Sequence, residues 1–249
     1  MTLIVFINAL WGCGSRYPRP ASFNDDPHSL LDTIKTRGAQ VQGLSGALAV
    51  EFWEADQRIK VRQLFATQRP LKLRMDTLSP FEQPLATLVC DGERLSLFEM
   101  DKRRYLTGPL TAETFERLSK LRVTPQEMTA LLSGQVPLLN SNATTVEWDD
   151  RRGLYRLTLK EGDRHQVLSI DPSTLTPVEA IYYKKEEVVL KIRLASYSKS
   201  EPKIPQRLRI EIPDREIRVD VEIKDFILNP ALPPEAFSLP PPAGVRIEE

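Results

Sequence analysis

The sequence predicts a mainly β (α+β) protein of about eleven antiparallel strands. They form a barrel or a strongly curved sheet whose apolar face is covered by short α-helices. Three observations carry this prediction. Apolar and polar residues alternate with a period of two through most of the chain after Gly43. Hairpin signals such as Asp91-Gly92 separate these runs at short intervals. Helical spacing is confined to a stretch ahead of the strands and an interlude among them.

The first helix is expected over Ser29 to Arg37, where Leu30, Leu31 and Ile34 share one face, Asp25 or Asp26 caps the start and Gly38 ends it. Leu48, Val50 and Phe52 then alternate with Ala49, Glu51 and Trp53. Ile59, Val61 and Phe65 make a second strand after a tight turn at Asp56-Gln57, and Leu71, Leu73 and Met75 a third. Asp91-Gly92 turns Ala86–Cys90 into Leu95–Met100, and Lys102-Arg103 turns the chain again. Thr111 opens the helical interlude, with Phe115, Leu118 and Leu121 on one face. Thr124-Pro125-Gln126-Glu127 starts its second helix, in which Met128, Leu131 and Leu132 face inward and Gly134 is the stop. Strands return with Val146–Trp148, Tyr155–Leu159, Val178–Tyr183 and Val188–Leu194, and close with the pair Arg207–Ile212 and Ile217–Lys224. The tail from Asn229 is proline-rich and extended.

Net charge is zero over 249 residues, with 41% hydrophobic and 27% charged residues. A neutral chain has no general pull toward nucleic acid, and the basic run Lys102-Arg103-Arg104-Tyr105 is isolated. His28 and His165 have no metal-ligand spacing around them, and no nucleophile elbow, phosphate loop or dinucleotide fingerprint occurs. The expectation is therefore a non-enzyme without cofactor or metal, acting as a monomer. Cys90, in the apolar run Leu88-Val89-Cys90, is expected as a small buried hydrophobe.

The N-terminus carries an apolar run, Leu3 to Ala9, that closes on Leu10-Trp11-Gly12-Cys13. This resembles the lipobox of bacterial lipoproteins. The run is too short to span a bilayer, which takes roughly 20 residues. The resemblance implies a signal peptide over residues 1–12, a lipid anchor on Cys13 and a flexible tether over residues 13–27. Residues 28–249 then read as one domain. Gly14, standing where an aspartate would retain a lipoprotein at the inner membrane, resembles an outer-membrane address facing the periplasm.

Further stretches extend the resemblance. They are Ser79-Pro80-Phe81-Glu82-Gln83-Pro84 followed by Asp91-Gly92, Tyr105-Leu106-Thr107-Gly108, and Leu131-Leu132-Ser133-Gly134. Asn229-Pro230, Pro234-Glu235-Ala236-Phe237 and Pro242-Ala243-Gly244-Val245 complete the order. Together they resemble the LolA/LolB-like family of bacterial envelope proteins over nearly all of Leu30 to Ile247. That resemblance implies an unclosed antiparallel barrel with helices in its concave mouth, holding acyl chains of lipoproteins or related lipids. Its partners would be those chains, the membrane through lipidated Cys13, and a periplasmic carrier or envelope protein.

On this reading the inner face is assigned to Leu48, Val50, Phe52, Leu73, Met75, Leu190, Ile192, Val219 and Val221. The lid is assigned to Phe115, Leu118, Met128 and Leu131. Alternation does not say which face is inner, nor whether the interior is hollow or plugged by side chains. The Leu78–Phe81 loop would correspond to the acceptor's exposed apolar loop; Phe81 is either that tip or folded back onto the core. A rival reading is a lipid-anchored structural or sensing module with a packed interior that docks a partner protein.

Overall fold

The computed structural model describes residues 16–119, 123–141 and 143–248. Among them, α1 (Pro27–Ala39) precedes six meandering strands: β1 (Gly43–Glu54), β2 (Gln57–Gln68), β3 (Lys72–Leu78), β4 (Pro84–Cys90), β5 (Arg94–Glu99) and β6 (Arg104–Pro109). Helices α2 (Ala112–Ser119) and α3 (Pro125–Leu132) follow. A second meander comprises β7 (Ala143–Asp149), β8 (Leu154–Glu161), β9 (Arg164–Ile170), β10 (Pro177–Lys184), β11 (Glu187–Tyr197), β12 (Pro205–Ile212) and β13 (Ile217–Leu228). The chain ends on β14 (Arg246–Glu248).

All fourteen strands form one sheet in the order β14-β6-β5-β4-β3-β2-β1-β13-β12-β11-β10-β9-β8-β7. The two meanders join where β13 pairs antiparallel with β1, Val50 opposite Val221. The sheet does not close, because β7 and β14 are its two edges. This topology explains the helices. The chain leaves β6 near one edge and re-enters at β7, the other edge, so it must cross the concave side, and α2 and α3 lie on that crossing. Two apolar cores pack beneath them. One packs α1 and Leu131 against β8 to β13, and the other packs α2 and α3 against β1 to β6. Both are joined by Val50 and Val221.

The unclosed curved sheet is the architecture expected, with fourteen strands rather than about eleven. The additional ones are chiefly β9 and β14. In β9 Gln166, Val167, Leu168 and Ser169 are all buried, so the strand shows no alternation. β14 is only Arg246-Ile247-Glu248, and it adds parallel to the edge of β6. Other differences are local. α1 starts at Pro27 because Asp26 accepts from the His28 backbone N–H, and it runs past Gly38 to Ala39. Gly38 thus lies inside the helix and does not cap it; the Gln135 side chain packs over it. The β1–β2 hairpin turns at Ala55-Asp56, one residue early, with Ala55 at φ 49°. The expected flexible tether is docked from Tyr17 onward. The Tyr17 N–H donates to the Asp150 carbonyl at 2.7 Å, the Trp148 indole donates to the Tyr17 carbonyl, and Phe23 packs on Trp148 and Tyr155. The proposed leader, Cys13 and Leu121 lie outside the described residues.

Candidate functional site

Between the helices and the concave face lies a cavity of about 280 Å³. β1 contributes Leu48, Val50 and Phe52, β3 contributes Met75, and β13 contributes Val219 and Val221. Phe115, Leu118, Met128 and Leu131 close it from the helices. The structure thus brings these strand and lid positions to one space. Leu73 and Ile192 do not reach it: both are fully buried in the cores on either side, and Leu190 packs half-buried against the α1-side core. Val61, Leu88, Leu97, Leu208, Ile210 and Ile223 also line it and were not anticipated, although they carry the same alternation signal.

Among the described residues the lining holds no charged side chain. Its polar groups answer one another. The Gln63 amide donates to the Thr77 hydroxyl at 3.0 Å, and Ser119 donates to the Phe115 carbonyl at 2.7 Å. With those bonds made, the surface offers a guest apolar area and few open polar groups, so recognition would come from burial.

The lid is fastened at its ends. Thr124 and Glu127 form a reciprocal capping box at the start of α3. At its other end Ser133 lies 3.0 Å from the buried Thr67 hydroxyl, and Gly134 turns the chain at φ 72° while the Gln135 N–H reaches back to the Ala130 carbonyl. On α2, Arg117 donates to the Thr107 carbonyl of β6, and Glu116 pairs with Arg215 of the β12–β13 turn at 3.1 Å. Phe115 and Leu118 of α2 and Met128 and Leu131 of α3 rest on the cavity through apolar contacts.

Phe81 is 85% exposed at the tip of the β3–β4 loop. The loop is built to hold it there. The Ser79 hydroxyl accepts from the Phe81 and Gln83 backbone N–H groups, the Glu82 N–H donates to the Ser79 carbonyl, and Glu82 pairs with Arg62. Elsewhere, Cys90 is buried and burial pushes its thiol pKa up. His165 stacks on Tyr183 across the β9–β10 pair at 4.3 Å. Among the described residues no group of His, Cys, Asp and Glu is placed to hold a metal, and no helix is long and apolar enough to cross a membrane.

No protein-family model and no curated protein matches the sequence. Solved structures do match. A DUF1329 family protein from Desulfovibrio piger superposes with TM-score 0.60 at 13% identity, covering 86% of this chain and 98% of that one. A LolA superfamily protein from Nitrosomonas europaea gives 0.59 at 14% identity, covering 86% and 97%. The fold is LolA-like. An outer membrane lipoprotein-sorting protein domain from Vibrio parahaemolyticus gives 0.55 at 10% identity, covering 85% and 97%. Such identities carry architecture and leave function to the site itself. In this chain the site is a hollow with no charged side chain among the described residues, under a lid pinned at its ends, and an aromatic side chain stands out in solvent on the β3–β4 loop.

Proposed function

We propose that this protein binds an acyl chain of a lipoprotein or related lipid beneath α2 and α3 and assists its localisation in the bacterial envelope. The observation that carries the reading is the cavity lined by Val50, Val221, Phe115 and Met128, with no charged side chain among the described residues of its wall. Burial of apolar area at roughly 25 cal/mol per Å2 supplies the affinity. At about 280 Å³ the cavity lies just below the roughly 300–1,000 Å³ of ordinary ligand pockets, which limits it to a single alkyl chain. Cys13 acts as the lipid anchor and holds the domain at the membrane, with the outer membrane as the address. Phe81 is the apolar tip that meets the bilayer or the incoming lipoprotein. No catalytic step is needed, since a chain is moved and no bond is broken.

Native mass spectrometry of the protein purified from its own membranes tests the central point. A non-covalently bound acyl chain is expected, and Val221→Trp, which fills the hollow, lowers the number bound by one. Protein that carries no such chain in either form is a packed docking module instead.

A further inference from the structure

A second cavity of about 500 Å³ lies on the other side of α3. That helix is a partition. Met128, Leu131 and Leu132 face the apolar hollow already described, while Gln126, Thr129, Ala130 and Ser133 line this one. The far wall comes from α1, the segment after Gly134 and the β11–β12 loop, with Ile34, Val136, Leu139 and Ile204 as apolar surface. Its charged lining is one-sided. Among the described residues Lys35, Arg37, Arg69 and Lys203 line it against the single carboxylate of Glu127, whose Oε2 is engaged by the Thr124 N–H in the capping box.

Those cations differ from most of the basic residues on the sheet. Arg58, Arg74, Arg104, Arg193 and Arg209 are each matched to a carboxylate. Lys35, Arg37 and Arg69 have no carboxylate within ion-pair distance among the described residues. Arg69 donates one nitrogen to the Gly38 carbonyl and the Gln135 amide oxygen, and Arg37 donates one to the Thr174 carbonyl. Each guanidinium is therefore positioned by neutral acceptors and keeps further N–H groups free. Lys203 donates to the Lys199 carbonyl at 2.8 Å and lies 3.7 Å from the exposed Glu201 carboxylate. A cleft lined by one sign of charge over low-dielectric walls concentrates counter-ions, and fixed guanidinium groups match the geometry of a phosphate.

We propose that this second cavity is a binding site for an anionic amphiphile. Lys35, Arg37, Arg69 and Lys203 hold its phosphate oxyanion, and the apolar wall takes the first carbons of its chain. The inference goes beyond the acyl-chain reading of the first cavity and stands separately from it, since the two share only the wall of α3.

Titration calorimetry on the full chain decides it, using dioctanoylphosphatidylglycerol, dioctanoylphosphatidylcholine and inorganic phosphate as probes. The anionic lipid is expected to bind about tenfold or more tightly than either of the others. Lys35→Glu, at an exposed helix position, combined with Arg69→Gln, which keeps an amide donor for the Gly38 carbonyl, should bring it down to the level of the zwitterionic lipid. A thermal melt of the same variant checks that the fold is intact, and Lys35→Glu alone should give a smaller loss in the same direction. Binding of 1-dodecanol, which reports the first cavity, should be unchanged in these variants and lost in Val221→Trp. Equal affinity for the two lipids, or a preference that survives the charge changes in a folded variant, overturns the proposal. Inorganic phosphate binding as tightly as the anionic lipid overturns the amphiphile as its source.

Discussion

At the scale of single residues the two phenylalanines Phe81 and Phe237 make opposite predictions. Phe237 is buried against Ala66 and Val89 on the convex face, where the proline-rich tail returns across the sheet. Phe237→Ala should therefore cost about 3–5 kcal/mol in urea unfolding, the loss of a filled aromatic site. Phe81 touches solvent, and its loop is held by backbone bonds to Ser79 that its side chain does not make. In the unlipidated Cys13→Ser protein, Phe81→Glu should leave stability within about 0.5 kcal/mol while abolishing partition onto lipid vesicles in a flotation assay. A variant that floats as well as the parent removes Phe81 from the transfer mechanism.

Glu179 gives a pH prediction at the same scale. Burial alone would raise its pKa, but hydrogen bonds from Lys191 and Arg152, with their charges, hold it below the ordinary glutamate range. A carboxylate whose folded pKa is depressed stabilises the native state above its unfolded pKa, near 4.3, and that stability is lost as pH falls through the folded value. Glu179→Gln should thus destabilise the protein at pH 7, and the difference from the parent should shrink as the melts are run toward pH 3.

At the scale of elements the lid is where sequence and energetics meet. α3 is short, and its capping box answers N–H groups that would otherwise be left open. Thr124→Ala should cost about 1 kcal/mol and appear as faster hydrogen exchange in α3, with β1 and β13 unchanged. Both lid helices were legible in the sequence because their caps and apolar spacing are local signals. So were β12 and the first half of β13, whose alternation reflects one buried face, and β1, whose Leu48, Val50 and Phe52 all turn to the hollow. β9 was not, since burial of both Gln166 and Val167 erases the period on which the reading depends. The site shows the same division. Alternation placed Leu73, Ile192, Val50 and Val221 on the inner side, but parity gives the face and not the position along the strand. Whether a side chain meets the hollow or the packed core beside it depends on where α2 and α3 cross, a tertiary fact that no local pattern carries.

At the scale of the whole molecule, the hollow sits at the seam where β1 pairs with β13 and the two cores meet. Its lining lacks partners on one side, so the apo protein forgoes contacts that an occupant would supply. A ligand that binds only the folded state stabilises it by about 2.7 kcal/mol at a hundred times its dissociation constant. For a domain of this size that corresponds to a rise of roughly 5–10 °C in melting temperature. Calorimetric melts with 1-dodecanol should show this rise in the parent and none in Val221→Trp. The Arg215–Glu116 pair ties α2 to the opposite half of the sheet. Arg215→Ala should therefore speed dodecanol entry while leaving the melting temperature at saturation nearly unchanged, because an exposed pair adds at most about 1 kcal/mol. A melting temperature that ignores dodecanol in every variant would mean that the seam is closed to guests, and the transport reading would fail with it.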